Sequence, residues 1–170
     1  MKIARLFTSP GENVYDRFEY TLRSSVLRNP DGSKVFELND IEVPKHWSQV
    51  AADILAQKYF RKTGVPQRDA DGKVLLDGEG RPVTGSERSI REVVHRLAGC
   101  WKDWGEKNRY FDSSDDAEAF YDEVAYMLLR QMGAPNSPQW FNTGLNFAYG
   151  IDGPAQGHFY VDPDRENHGV

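Results

Sequence analysis

One cysteine, Cys100, stands in a chain of 170 residues. A lone thiol cannot form an internal disulfide, which argues against a small secreted domain held by staples. Histidine is scarce as well: His46, His95, His158 and His168 fall at no metal-ligand spacing. His95 and Cys100 would lie about 140° apart around a helix and so would not share a metal. Apolar runs are short, and none approaches the ~20 residues that span a bilayer, so no membrane partner is expected. A secretory signal is missing too, because Pro10, Gly11 and Glu12 interrupt the chain directly after Met1–Phe7. Positive charge is not in excess: 21 Lys and Arg face 26 Asp and Glu, a formal net charge of -5. That balance disfavours broad nucleic-acid binding, although a local basic patch can still hold a phosphate. These exclusions leave a cytoplasmic protein as the expectation.

What is present suits one modest core. A hydrophobic fraction of 39% beside a charged fraction of 28% fits a single domain of this length. The expected organisation is a weakly structured lead over 1–19, a domain over 20–150 and a connection or disordered tail over 151–170. The fold class expected is mainly α with small β-hairpins (α+β). Tyr20 to Pro44 reads as a hairpin around the turn signal Asn29-Pro30-Asp31-Gly32. A first helix is predicted from about Trp47 to Lys62, with Val50, Ile54, Leu55 and Phe60 on one face and Gly64 and Pro66 beyond its end. Pro66 to Gly85 reads as an exposed loop or small hairpin. Its Asp69-x-Asp71-Gly72 spacing resembles a calcium loop but lacks the further oxygen ligands, later glycine and closing Glu.

A second helix has two possible starts, Thr84-x-x-Glu87 and Ser89-x-x-Glu92, each with the pattern of a capping box. Ile90, Val93, Val94, Leu97 and Trp101 recur at helical spacing, followed by Trp104. A packed helix face explains these aromatics better than stacking on a base or a corrin ring. Cys100 reads as a small buried side chain rather than a reactive one. Arg88 and Arg91 beside the helix start would suit a phosphate, but a solvated face balanced by Glu87 and Glu92 accounts for them as well. A third helix is expected after Ser113-Ser114, with Asp115 and Asp116 at the positive end of its dipole, continuing to about Met132.

The most informative stretch follows that helix: Ala134-Pro135-Asn136-Ser137-Pro138-Gln139-Trp140-Phe141-Asn142-Thr143-Gly144. Its two prolines each remove a backbone donor and disfavour helical angles at the preceding residue. The expectation is a rigid, glycine-ended loop with short polar side chains, anchored by Trp140 and Phe141. Such a loop suits a polar or phosphorylated ligand. From the residues alone, a connector whose aromatics are core is the better account. Leu145 to Tyr149 reads as a short strand or turn.

This stretch resembles the Asn-Ser-Pro-x-Trp-Phe-Asn signature of adenosylcobalamin-dependent (class II) ribonucleotide reductases. The similarity extends to Phe36-Glu37-Leu38-Asn39-Asp40-Ile41-Glu42-Val43-Pro44, Trp47-Ser48-Gln49-Val50-Ala51, Gly85-Ser86-Glu87-Arg88-Ser89 and Gly99-Cys100-Trp101-Lys102-Asp103-Trp104-Gly105. It covers most of the chain between about Tyr20 and Pro163, in the order of the family's amino-terminal segment. The resemblance implies a helical domain leading into a ten-stranded α/β barrel that is largely absent here. It implies an enzyme that makes deoxyribonucleotides for DNA synthesis from ribonucleoside diphosphates by radical chemistry, replacing the ribose 2′-hydroxyl with hydrogen. The cofactor implied is adenosylcobalamin, bound outside this chain. The radical-carrying cysteine and the reducing cysteine pair are also expected beyond Val170, so this chain by itself is expected to be inactive. Implied partners are the ribonucleotide substrate, the remainder of the catalytic domain and a thioredoxin-type reductant, with no direct nucleic-acid binding. The resemblance points to Ser137 as a substrate-side contact, by hydroxyl or backbone N–H and to phosphate, and to Asn142 as a second polar contact or as a residue that holds the loop. Gln139 and Asn136 stand behind these two. No catalytic group and no cobalamin ligand is assigned. The alternative is a stand-alone nucleotide-binding or assembly module without catalysis of its own.

Overall fold

A computed structural model describes residues 1–69 and 71–152, together with the backbone of two short strands farther on. Its architecture is α+β, with helices packed on one another and on small antiparallel hairpins. Strands β1 (Tyr20–Arg28) and β2 (Lys34–Pro44) form the expected hairpin. In its turn, the Gly32 amide donates to the Asn29 carbonyl (2.9 Å) at a φ of +85°, a left-handed angle that glycine adopts without a Cβ penalty. Pairing shifts between Arg23 and Ser25, opposite Asp40 at φ +57°. Beyond this irregularity the hairpin tip leaves Val26, Leu27 and Val35 exposed, whereas Ile41 and Val43 at its base are fully buried.

Helix α1 (Gln49–Ile54) starts at Ser48, whose hydroxyl accepts from the Ala51 amide (3.1 Å). It loosens into one π-helical turn over Leu55–Tyr59 and ends there, short of the predicted Lys62. The inner face follows Ala52 at ordinary helical spacing. Ala52, Leu55, Ala56 and Phe60 are buried, while Val50 and Ile54, expected on the inner face, are exposed.

Strands β3 (Val65–Pro66) and β4 (Thr84–Gly85) pair, so Thr84 belongs to a strand and does not cap the second helix. Between them, backbone bonds link Gln67, Leu75 and Val83 in a closed three-way arrangement of 2.8–2.9 Å. Asp69 and Asp77 each accept two backbone amides across their own turns, so these carboxylates are committed to the chain's local fold.

Helix α2 (Ile90–Lys107) opens with a complete capping box between Ser89 and Glu92. Helix α3 (Ser114–Leu129) opens with the Ser113 hydroxyl accepting from the Asp116 amide and stops three residues before Met132. The two pack together, and the core fills between them and the hairpin base with Ile90, Val93, Val94, Leu97, Ala125 and Leu129. Trp47 closes this core, donating its indole N–H to the Leu129 carbonyl (2.8 Å) where α3 runs out of internal donors.

The lead has no regular element before a 3₁₀ turn at Val14–Arg17, yet it is tied along α3. The Phe7 and Thr8 amides and the Thr8 hydroxyl donate to the buried Glu123 carboxylate (2.7–3.1 Å). Arg5 pairs with Asp122 at 2.7 Å. Helices α4 (Ser137–Asn142) and α5 (Leu145–Tyr149) complete the domain, and β5 (Tyr160–Asp162) pairs with β6 (Arg165–His168). The expectation for 151–170 falls mostly outside the described residues. Among the described residues no helix is long and apolar enough to cross a membrane.

Candidate functional site

The segment expected to be an irregular loop folds as a short helix, α4. Asn136 takes extended angles and caps it, its side-chain oxygen accepting from the Gln139 amide (3.3 Å). Pro138 then sits in the first turn, where its missing N–H would have had no intrahelical partner. The proline that seemed to forbid helix therefore suits its start. The expected strand or turn at Leu145–Tyr149 is likewise helical, as α5. Between them, Gly144 holds φ +79°. A Cβ there would fall 1.9 Å from the Arg96 carbonyl oxygen, so this position requires glycine.

Arg96, which no sequence motif marks, is the central element of the site. Its side chain projects from α2 with no solvent exposure and pairs with Glu87, equally enclosed, at 2.7 Å. Its remaining donors reach the carbonyls of Trp140 (2.7 Å), Thr143 (2.9 Å) and Tyr59 (3.2 Å). The guanidinium thus satisfies carbonyls at the end of α4 that a helix cannot satisfy internally, and joins them to the π turn. Glu87 is fully used as well: one oxygen accepts from Tyr149 Oη (2.7 Å), the other from the Arg61 amide (2.7 Å). Burial, and then the adjacent Glu87 charge, push the Tyr149 phenol far above its ordinary range, so it remains a donor. One signal for Arg96 was available: it lies within the apolar stripe of Val93, Leu97 and Cys100, where an unpaired charge would not be tolerated.

Ser137 and Asn142, the residues singled out from the sequence, sit at opposite ends of α4 and are both exposed. Five helical positions separate them by about 7.5 Å along the axis and about 140° around it, so one phosphate would not bridge them. The Ser137 hydroxyl lies 3.1 Å from that of Tyr59. Asn142 instead lines a cleft of about 560 Å³ between α2 and α5, with Cys100, Trp104, Lys107, Thr143 and Asn146 around it. Gln139 is exposed beside Trp101 and Leu128, and Asn136 is occupied as the cap.

Cys100 is buried, and burial followed by the Asp103 charge pushes its thiol up, so it stays protonated at neutral pH. Trp101 packs against the core whereas Trp104 is exposed, so the two rings do not form a shared stacking surface. Arg91 lies 3.1 Å from Glu42 and over the Tyr20 ring, and Arg88 donates to the Asn39 carbonyl, so both arginines at the α2 start are engaged within the protein. His95 places Nδ1 3.0 Å from the Tyr121 hydroxyl. Among the described residues no group of three or more His, Cys, Asp or Glu converges as metal ligands would. Neither Ser137 nor Asn142 has a carboxylate or imidazole among its described hydrogen-bond partners. Among the described residues a proton-transfer pair is not assembled on these two side chains.

Comparison with known proteins covers both the scaffold and this segment. The family model for class II vitamin B12-dependent ribonucleotide reductase matches residues 21–131, from the hairpin through α3. The vitamin B12-dependent ribonucleotide reductase of Agrobacterium fabrum is 54% identical over 96% of this chain, and that of Bradyrhizobium diazoefficiens 52% identical over 96%. The corresponding protein of Rhodopirellula baltica is 34% identical over 84% of the chain. The chain spans 14%, 14% and 12% of those relatives, respectively. On the match to its scaffold and the identity along nearly its whole length, this chain belongs to the class II vitamin B12-dependent ribonucleotide reductase family.

Proposed function

We propose that this chain is the amino-terminal part of a cobalamin-dependent ribonucleoside-diphosphate reductase that makes deoxyribonucleotides for DNA synthesis in the cytoplasm. Its share of that function is a scaffold and one side of the substrate site. The radical and reducing cysteines, the seat for adenosylcobalamin and the docking site for a thioredoxin-type reductant belong to the remainder of the polypeptide. The observation that carries this reading is the mounting of α4. Its carbonyl end is fixed from inside by Arg96, while Ser137 at the other end presents an exposed hydroxyl. A fixed backbone with an exposed polar tip suits a residue that positions substrate, because little order must be gained on binding.

Ser137 then contacts a substrate phosphate, and Asn142 makes or supports a second polar contact farther along the ligand. The test is steady-state reduction of ribonucleoside diphosphates by the full-length polypeptide carrying Ser137→Ala. A hydrogen bond to a charged group contributes about 1.5–3 kcal/mol, so KM should rise roughly 10- to 150-fold with kcat little changed. An unchanged KM refutes a contact through the Ser137 hydroxyl. Absence of adenosylcobalamin-dependent reduction by the unaltered full-length polypeptide refutes the activity.

A further inference from the structure

We infer that Tyr59 is a positioning residue for the substrate site, setting the direction in which Ser137 offers its hydroxyl proton. The inference rests on the reading of Ser137 as a substrate-side contact. Three independent features converge on Tyr59. It is the last residue of the π-helical turn that replaces the end of α1, a local departure that costs regular hydrogen bonding and changes where its side chain points. Its ring is packed against the two α4 aromatics, 5.6 Å from Trp140 and 5.4 Å from Phe141 between centroids. Its carbonyl accepts from Arg96, the same guanidinium that holds Trp140 and Thr143. Tyr59 and α4 are therefore fixed to one another through both backbone and ring.

The hydroxyl at the end of that ring lies 3.1 Å from Ser137 Oγ. A serine hydroxyl has one proton and two acceptor positions, and left alone its proton rotates to whatever accepts it. When the phenol donates to Oγ, the Ser137 proton is left for an outside acceptor. A phosphate oxygen is such an acceptor, having no proton to give when ionised. The resulting chain, phenol to serine to phosphate, polarises in one direction, and each bond strengthens the next. Tyr59 needs no contact with the substrate to act in this way.

The test uses the full-length reductase with Tyr59→Phe, Ser137→Ala and the double variant, measuring KM and kcat for a ribonucleoside diphosphate and Tm for each protein. Tyr59→Phe keeps the ring and its stacking while removing the hydroxyl. The expected result is a rise in KM of about threefold to tenfold, the size of one neutral hydrogen bond, with kcat within about twofold and Tm little changed. In the Ser137→Ala background the same change should add nothing, because the group through which Tyr59 acts is gone. A KM unaffected by Tyr59→Phe but raised by Ser137→Ala overturns the inference and leaves the Ser137 assignment standing. An equal Tyr59 effect in both backgrounds also overturns it, since Tyr59 would then act elsewhere. A joint fall in Tm and kcat without the KM effect makes Tyr59 structural and overturns it too. If Ser137→Ala is itself silent, the hydroxyl contact on which the inference rests fails, and the inference with it.

Discussion

Replacing Arg96 with Met is the sharpest perturbation of the mounting that holds α4. The substitution keeps much of the aliphatic volume but leaves Glu87 enclosed without its cation. Removing one member of a buried ion pair typically costs about 3–5 kcal/mol, because the remaining charge stays desolvated. The Trp140, Thr143 and Tyr59 carbonyls lose their donor at the same time. Each loss would cost roughly 1–3 kcal/mol alone, but the groups share one guanidinium and do not add. A total of about 4–6 kcal/mol follows, a large fraction of the roughly 5–15 kcal/mol stability of a domain. At about 2–4 °C per kcal/mol for a domain of this size, Tm should fall by roughly 8–24 °C. Urea titration followed by tryptophan fluorescence measures the change, since Trp47 and Trp140 are both buried. Glu87→Gln completes a cycle: with both charges removed, the double variant should be clearly more stable than the sum of the single losses predicts. An Arg96→Met cost below about 1 kcal/mol, or additivity within about 0.5 kcal/mol, would refute the reasoning.

Gly144→Ala should cost well over 1 kcal/mol by chemical denaturation, because the added Cβ meets the Arg96 carbonyl at a left-handed φ; Gly150→Ala, at φ +67° with nothing within 4 Å, should be milder. Asn136→Ala should remove about 1 kcal/mol as the loss of a helix cap, with hydrogen exchange accelerating at the Gln139 amide. Burial raises the pKa of Glu123, but the bonds from Thr8, Phe7 and Leu6 together outweigh it and hold the carboxylate below its usual range. Its folded-state pKa is depressed, so its stabilisation is present above the unfolded carboxylate value and is lost as pH falls through the folded one. Glu123→Gln should therefore weaken this acid dependence and expose the lead to proteolysis near Phe7; unchanged cleavage and pH dependence would count against the clamp. Cys100 should react with a thiol reagent far more slowly than a free thiol at pH 7.5, being buried and protonated, and quickly once urea unfolds the protein.

The elements that were legible in the sequence are those governed by near neighbours. Asn29-Pro30-Asp31-Gly32 marks a turn because Gly32 accepts the left-handed angle there, and the hairpin follows on either side. Ser113 and Asp116 cap α3 within four positions where the residues say, whereas of the two capping boxes offered for α2 the structure uses Ser89 with Glu92. Reading failed where one rule was applied without its exception. Proline excludes a helix interior but fits a first turn, and α4 begins on that distinction. The inner face of α1 is built on the small residues Ala52 and Ala56 with Leu55, and Val50 and Ile54, larger and more apolar than the alanines, lie about 200° of helical rotation from Ala52 on the outer face.

By itself, then, the sequence determined the α+β composition, the hairpin, the start of the third helix and that of the second to within a turn, the family resemblance and the choice of Ser137 and Asn142. Tertiary structure decided how those two residues are presented. It set them at opposite ends of one helix, one beside Tyr59 and the other in the cleft against α2. It also made Arg96 the hub of the site, joining it to groups 9, 37, 44 and 47 positions away along the chain. Nothing local distinguishes those carbonyls from any others. The physical reason is desolvation: an enclosed guanidinium must find all its partners inside the protein, and only the closed fold brings four distant acceptors within reach of one side chain.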